Sequence, residues 1–110
     1  MTKSKILRHR FVRELWRGLG ILWPILSVLL MIMALLGVLV ARLEGWPLTD
    51  GLYFSFVTGL TIGYGDLVPK AASARVVAVL IGVCGIFLTG LMVAVGVQAL
   101  RIALDAADDA

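Results

Sequence analysis

Three uncharged stretches dictate most of what this chain can become: Gly18 to Ala41 with 24 residues, Gly51 to Gly65 with 15, and Val76 to Leu100 with 25. At about 1.5 Å per residue, the first and last each make a helix of roughly 36 Å, enough for a hydrocarbon core of about 30 Å with some tilt. The middle one is too short to span. The chain therefore reads as two crossings with a partial insertion between them. Its composition agrees: 61% apolar and 15% charged residues, against about 45–50% and 25% in ordinary soluble domains.

That reading removes several function classes. In a chain of 110 residues, two spans leave too little for a separate catalytic domain. The isolated carboxylates and His9 form no acid–base constellation, so the chain is not expected to be an enzyme. A single cysteine, Cys84, excludes a disulfide framework within the chain, and a single histidine excludes the usual zinc sites. The net charge of +3 does not point to nucleic acid, because six of the ten basic residues (Lys3, Lys5, Arg8, Arg10, Arg13, Arg17) precede the first apolar run. Basic flanks stay on the cytoplasmic side, so a multi-pass protein of the cell membrane with both termini cytoplasmic is expected.

The chain divides accordingly. Residues 1–17 form a basic amphipathic cytoplasmic segment in which Leu7, Phe11, Val12, Leu15 and Trp16 share one half of a helical wheel. Lying at the headgroup layer, they would let the arginines meet anionic lipid; the alternative is that this stretch simply begins the first crossing. A membrane domain then covers 18–104: an outer helix 18–42, a short helix 50–60, a loop 61–66 and an inner helix 73–104. Pro47 with Gly45 and Trp46 marks the outer turn, and Thr49 and Asp50 offer N-caps for the short helix. Residues 105–110 are a cytoplasmic acidic tail.

The chemistry lies in Thr61-Ile62-Gly63-Tyr64-Gly65-Asp66. Irregular backbone at membrane depth persists only where protein or a water-filled path satisfies its polar groups. An extended strand can replace the water around a dehydrated cation if successive carbonyls face one axis. That arrangement requires alternate residues with unusual dihedrals, which Gly63 and Gly65 adopt without a steric penalty. The Thr61 hydroxyl adds an inner oxygen. Tyr64 would point away from the axis and wedge against Tyr53 and Phe54, and Asp66 would draw cations to the outer mouth. One strand cannot encircle an ion, so several chains around an axis are needed, fourfold closure being the natural one.

This segment resembles the potassium-channel signature TVGYGD, with Ile62 in place of Val. The region from about Trp46 to Arg101 looks like the pore domain of two-transmembrane prokaryotic potassium channels. The resemblance implies an all-α membrane protein, a homotetramer in which two transmembrane helices flank a re-entrant pore helix and filter loop. Potassium, the permeant ion and the only bound species expected, would be coordinated by the carbonyls of Thr61, Ile62, Gly63 and Tyr64 and the Thr61 hydroxyl, with Gly65 completing the filter. No cofactor is implied. The chain departs from the family pattern at Val57, where some relatives carry a Glu that pairs with the filter Asp; Tyr53 could serve Asp66 instead. Leu60 replaces a second Thr, and Val68 stands where an outer-mouth aromatic supports block by tetraethylammonium.

In the inner helix, Gly85 and Gly90 match the spacing of the family's hinge glycines, whereas Gly82 and Gly96 read as packing positions. Close packing is also the alternative for Gly85. Ile86, Thr89, Val93 and Val97 recur at helical spacing and are expected to line an apolar cavity closed by dewetting near its narrow end. Two other readings are an accessory two-helix subunit that does not conduct alone and a less selective monovalent cation channel. The intact glycine alternation argues against the first, and Tyr64-Gly65 against the second.

Overall fold

A computed structural model describes residues 2–109, with three helices and, among the described residues, no strand. The helices are α1 (Lys3–Glu44), α2 (Leu48–Gly59) and α3 (Ala72–Asp108). The two long ones are apolar and long enough to cross a membrane, and α2 is not. The chain falls into two compact units, Leu26–Thr89 and the pair Met1–Ile25 with Gly90–Ala110.

Each boundary in the larger unit has a local cause. Helix α1 stops at a Schellman turn: Gly45 takes φ +73° and the Trp46 amide donates back to the Ala41 carbonyl at 2.8 Å. Pro47 begins α2, and its carbonyl accepts from the amides of Asp50 (3.0 Å) and Gly51 (3.3 Å). The expected N-caps, Thr49 and Asp50, lie inside the first turn instead. Pro47 has already fixed the extended φ/ψ that a capping residue supplies, and no side chain caps this end. Asp50 still sits where the helix dipole favours a carboxylate.

Helix α2 is held by residues without bulk. Gly51, Ser55 and Gly59, four apart, are all buried on one face. A Cβ on Gly37 of α1 would lie 2.7 Å from the Gly51 carbonyl oxygen, and one on Gly51 would lie 2.6 Å from the Ala41 Cβ. Backbone therefore meets backbone, as small-residue seams permit between apolar helices. The buried Ser55 hydroxyl donates to the Met33 carbonyl at 2.5 Å, and the end of the Met33 side chain covers Gly59. On α3, Gly85 sits directly on the Gly59 backbone, leaving no room for a Cβ. The rest of this core is Val40, Phe54, Ala74, Val77 and Ile81. Trp46 packs edge-on to Phe54 with centroids 5.5 Å apart.

These contacts redistribute the roles expected of the glycines. Gly82 and Gly96, read as packing positions, have nothing within 4 Å of a Cβ placed on them, while Gly85 is a close-packing position. Gly90 also stands in open space.

In the smaller unit, Thr2 caps α1: its hydroxyl accepts from the Lys5 amide at 3.4 Å. Helix α1 then runs on from Lys3 without a break at residue 17, so the basic segment is not a separate helix here. Its side chains are also sorted differently from the wheel, with Glu14 buried while Val12 and Trp16 are exposed. The cause is a partner of small residues. Val95, Ala99, Ala103 and Ala107, four apart on α3, are all buried, and the Val95 side chain abuts Gly18. Glu14 pairs with Arg17 at 3.7 Å. Residues 105–108 of the acidic tail continue α3 as helix.

Candidate functional site: the extended loop that follows the short helix

The loop begins as the C-terminal cap of α2. The Thr61 amide donates to the Thr58 carbonyl at 3.1 Å, and the Ile62 amide reaches the Val57 carbonyl at 2.9 Å. This pairing is a second Schellman motif, with Thr61 in the left-handed position at φ +61°. A β-branched residue there is a genuine outlier, costing roughly 1–2 kcal/mol. Thr61 is the sole non-glycine with positive φ among the described residues. Its hydroxyl is folded back onto the Leu60 carbonyl at 2.6 Å.

Gly63 at φ +62° and Gly65 at φ +77° continue the pattern, so positions 61, 63 and 65 are left-handed and 62 and 64 are not. This alternation is the backbone condition required to bring successive carbonyls to one side of an extended strand. The Gly63 amide shares the Val57 carbonyl at 3.2 Å, so the first two amides after Thr61 are turned inward to the helix end. Val57 thus serves the loop through its backbone, and its buried side chain supplies no hydrogen-bonding group.

At the outer end, hydrogen bonding toward the Asp66 carboxylate, with a smaller contribution from desolvation, holds the Tyr53 phenol above its ordinary range, because ionised Tyr53 would face the Asp66 charge. From Leu60 through Asp66 every residue is exposed. Tyr64 is 69% exposed and makes no ring contact with Tyr53 or Phe54. The expected wedge is absent within one chain because Phe54 is committed to Trp46 and the core. Val68 is likewise exposed, as are Ile86, Thr89, Val93 and Val97, which share one face of α3. Cys84 is half-buried. No cluster of His, Cys, Asp or Glu fit to hold a metal occurs among the described residues.

Two features escaped the sequence reading. The seam Gly51, Ser55, Gly59 was visible as small residues at spacing four. Glu44 gave no signal, because its partners lie 26 and 27 residues away: its Oε1 accepts from the amides of Lys70 and Ala71, both at 2.7 Å.

The chain was also compared with known proteins. The ion channel family model matches residues 24–101, and the chain belongs to that family. It is 35% identical over 78 residues to the TWiK family of potassium channels protein 7 of Caenorhabditis elegans, covering 70% of this chain and 14% of the relative. It is 46% identical over 44 residues to the human potassium channel subfamily K member 17, covering 40% of this chain and 13% of the relative. With the rat intermediate conductance calcium-activated potassium channel protein 4 it shares 48% identity over 48 residues, covering 44% of this chain and 11% of the relative. The chain thus spans about a seventh or less of the length of these relatives. No solved structure matches it significantly. Family membership accords with the expectation of a membrane-embedded channel and not an enzyme.

Proposed function

We propose that four copies of this chain form a potassium-selective channel of the cell membrane in which the carbonyls of Thr61, Ile62, Gly63 and Tyr64 replace the water around a passing ion. The observation that supports this most is the left-handed alternation at 61, 63 and 65 directly after a buried helix too short to span. A strand of that form in one chain offers one quarter of a ring, and four supply it. The C-terminal end of α2 aims its partial negative charge at the same region and lowers the cost of a cation there. Ion movement is passive electrodiffusion, with potassium as the substrate and no bond made or broken.

In the assembly, a neighbouring chain covers the exposed Tyr64, and Asp66, held by Tyr53, lies at the outer mouth. Ile86, Thr89, Val93 and Val97 face the cavity below the filter. Gly90, with nothing within 4 Å of a Cβ placed on it, is the freer of the two hinge positions, since bending at Gly85 would disturb its seat on Gly59. Both termini are cytoplasmic, and the basic start of α1 meets anionic lipid.

Reconstitution in liposomes with opposed potassium and sodium gradients tests this reading. The reversal potential should follow the potassium gradient. A potential that tracks sodium equally, or no current, would contradict it.

A further inference from the structure

We propose that the cavity between the two helices of the smaller unit binds one phospholipid with a primary ammonium headgroup, phosphatidylethanolamine by chemistry. The ammonium donates to the Glu14 carboxylate, the phosphate accepts from Arg17, and an acyl chain follows the apolar wall. The site lies within one chain and requires only that the chain is embedded in a membrane.

The cavity has a volume of about 380 Å³, within the roughly 300–1,000 Å³ of ligand pockets. Its apolar wall is Ile21 and Leu22 of α1 with Val95 and Ile102 of α3, and Glu14, Arg17 and Gln98 are its polar members. That space takes a headgroup and the start of one chain, and the rest of the lipid stays in the bilayer. The level suits a headgroup. Arg17 is the last charge before the uncharged run that begins at Gly18, and the exposed Trp16 and Trp23 are of the type that anchors at the membrane–water interface.

Glu14 is the residue that points to a ligand. It is only 9% exposed, and a buried carboxylate is costly unless donors answer it. Its one partner among the described residues is Arg17 at 3.7 Å, too far for a hydrogen bond, and the Arg17 side chain is itself largely exposed. No buried side-chain oxygen or nitrogen among the described residues lacks a partner, so the Glu14 oxygens are not sealed in and open on the cavity they line. A carboxylate beside a guanidinium sums to zero charge and matches a zwitterion. An anionic headgroup would answer Arg17 and be repelled by Glu14. A choline headgroup carries the charge but has no N–H to donate. Anionic lipid has a separate place on α1, the hollow lined by Lys5, Arg8 and His9.

Native mass spectrometry of the full chain in detergent, titrated with ethanolamine, monomethylethanolamine and choline phospholipids of identical acyl chains, tests the site. One ethanolamine lipid per chain should be held about tenfold more tightly than the choline lipid, the scale of one charge-assisted hydrogen bond. The monomethyl lipid, which keeps N–H donors, should stay close to the ethanolamine lipid. Glu14→Gln keeps an acceptor oxygen and loses the charge, and should bring the ratio of ethanolamine to choline lipid near one. Arg17→Gln removes the contact common to both and should weaken both while keeping the ratio. Equal retention of the three lipids by wild type overturns the proposal, as does retention of none, the outcome if a neighbouring chain fills the cavity. So does a ratio that survives Glu14→Gln, or displacement of the ethanolamine lipid by an equal amount of a glycerol-headgroup lipid. Should Glu14→Gln fail to fold, the other two proteins decide: the ratio must be present in wild type and survive Arg17→Gln, and failure of either overturns the site.

Discussion

Helix α2 and the strand that follows it are neighbours in sequence and opposites in construction. The helix is placed by contact along its length: glycine against glycine at 37 and 51 and at 59 and 85, with Ser55 bonded to the Met33 carbonyl. The strand from Leu60 to Asp66 touches almost nothing along its length and is fixed at its ends. Two amides are tied to the Val57 carbonyl at the inner end, and Tyr53 interacts with Asp66 at the outer one. A rigid element can be built from packing alone. A strand whose carbonyls must stay free for an ion has to borrow its shape from what precedes and follows it.

The largest effects should come from adding one carbon to the seam. In Gly51→Ala or Gly85→Ala the new Cβ meets backbone, and overpacking of this kind costs about 1–3 kcal/mol or more. Thermal unfolding in detergent should show that loss. Gly82→Ala and Gly96→Ala should instead be neutral or gain up to about 1 kcal/mol, as helix propensity alone dictates. Equal effects at all four positions would show that α2 is not placed by its glycine contacts.

Ser55→Ala removes one hydrogen bond and leaves Met33 its place in the helix, so a loss of about 0.5–1.5 kcal/mol is expected in the same assay. At the junction, Thr61→Gly relieves left-handed strain of roughly 1–2 kcal/mol and removes the hydroxyl. The variant should be no less stable than wild type, yet conduct differently. Thr61→Val keeps the strain and loses the hydroxyl, and should fall below it in stability.

The smallest effect is at the outer tie. Tyr53 has its folded-state pKa raised, so the stability it supplies is complete below its ordinary value near 10 and is lost as pH rises through the higher folded value. The tyrosinate absorbance difference between wild type and Tyr53→Phe should report titration above that ordinary value. Titration at or below it would show that the bond to Asp66 does not hold in solution.

The three runs of uncharged residues were legible as three helices because periodicity and length are local properties. The glycine alternation was legible for the same reason, since Gly63 and Gly65 carry their dihedral freedom on their face. Partner choice was not. Gly85 reads from spacing as a hinge, and only the placement of Gly59 shows it to be a contact. Glu44 reads as one of several loop charges until the chain brings Lys70 and Ala71 to it. Thr61 hides its left-handed φ because nothing in a threonine suggests it, and the requirement comes from ending α2 at Gly59. The wheel of residues 6–17 misplaced Glu14 because it assumed lipid or solvent as the environment, whereas the alanine face of α3 is the partner.

The central claim is that backbone carbonyls of the strand bind potassium in preference to sodium. Solid-state NMR of the reconstituted protein, carbonyl-labelled at Ile62 and Gly63, tests it directly. Exchange of sodium for potassium should move both resonances and leave labelled carbonyls in α2 unmoved. Resonances that stay in place, or that move equally with either ion, would contradict the account.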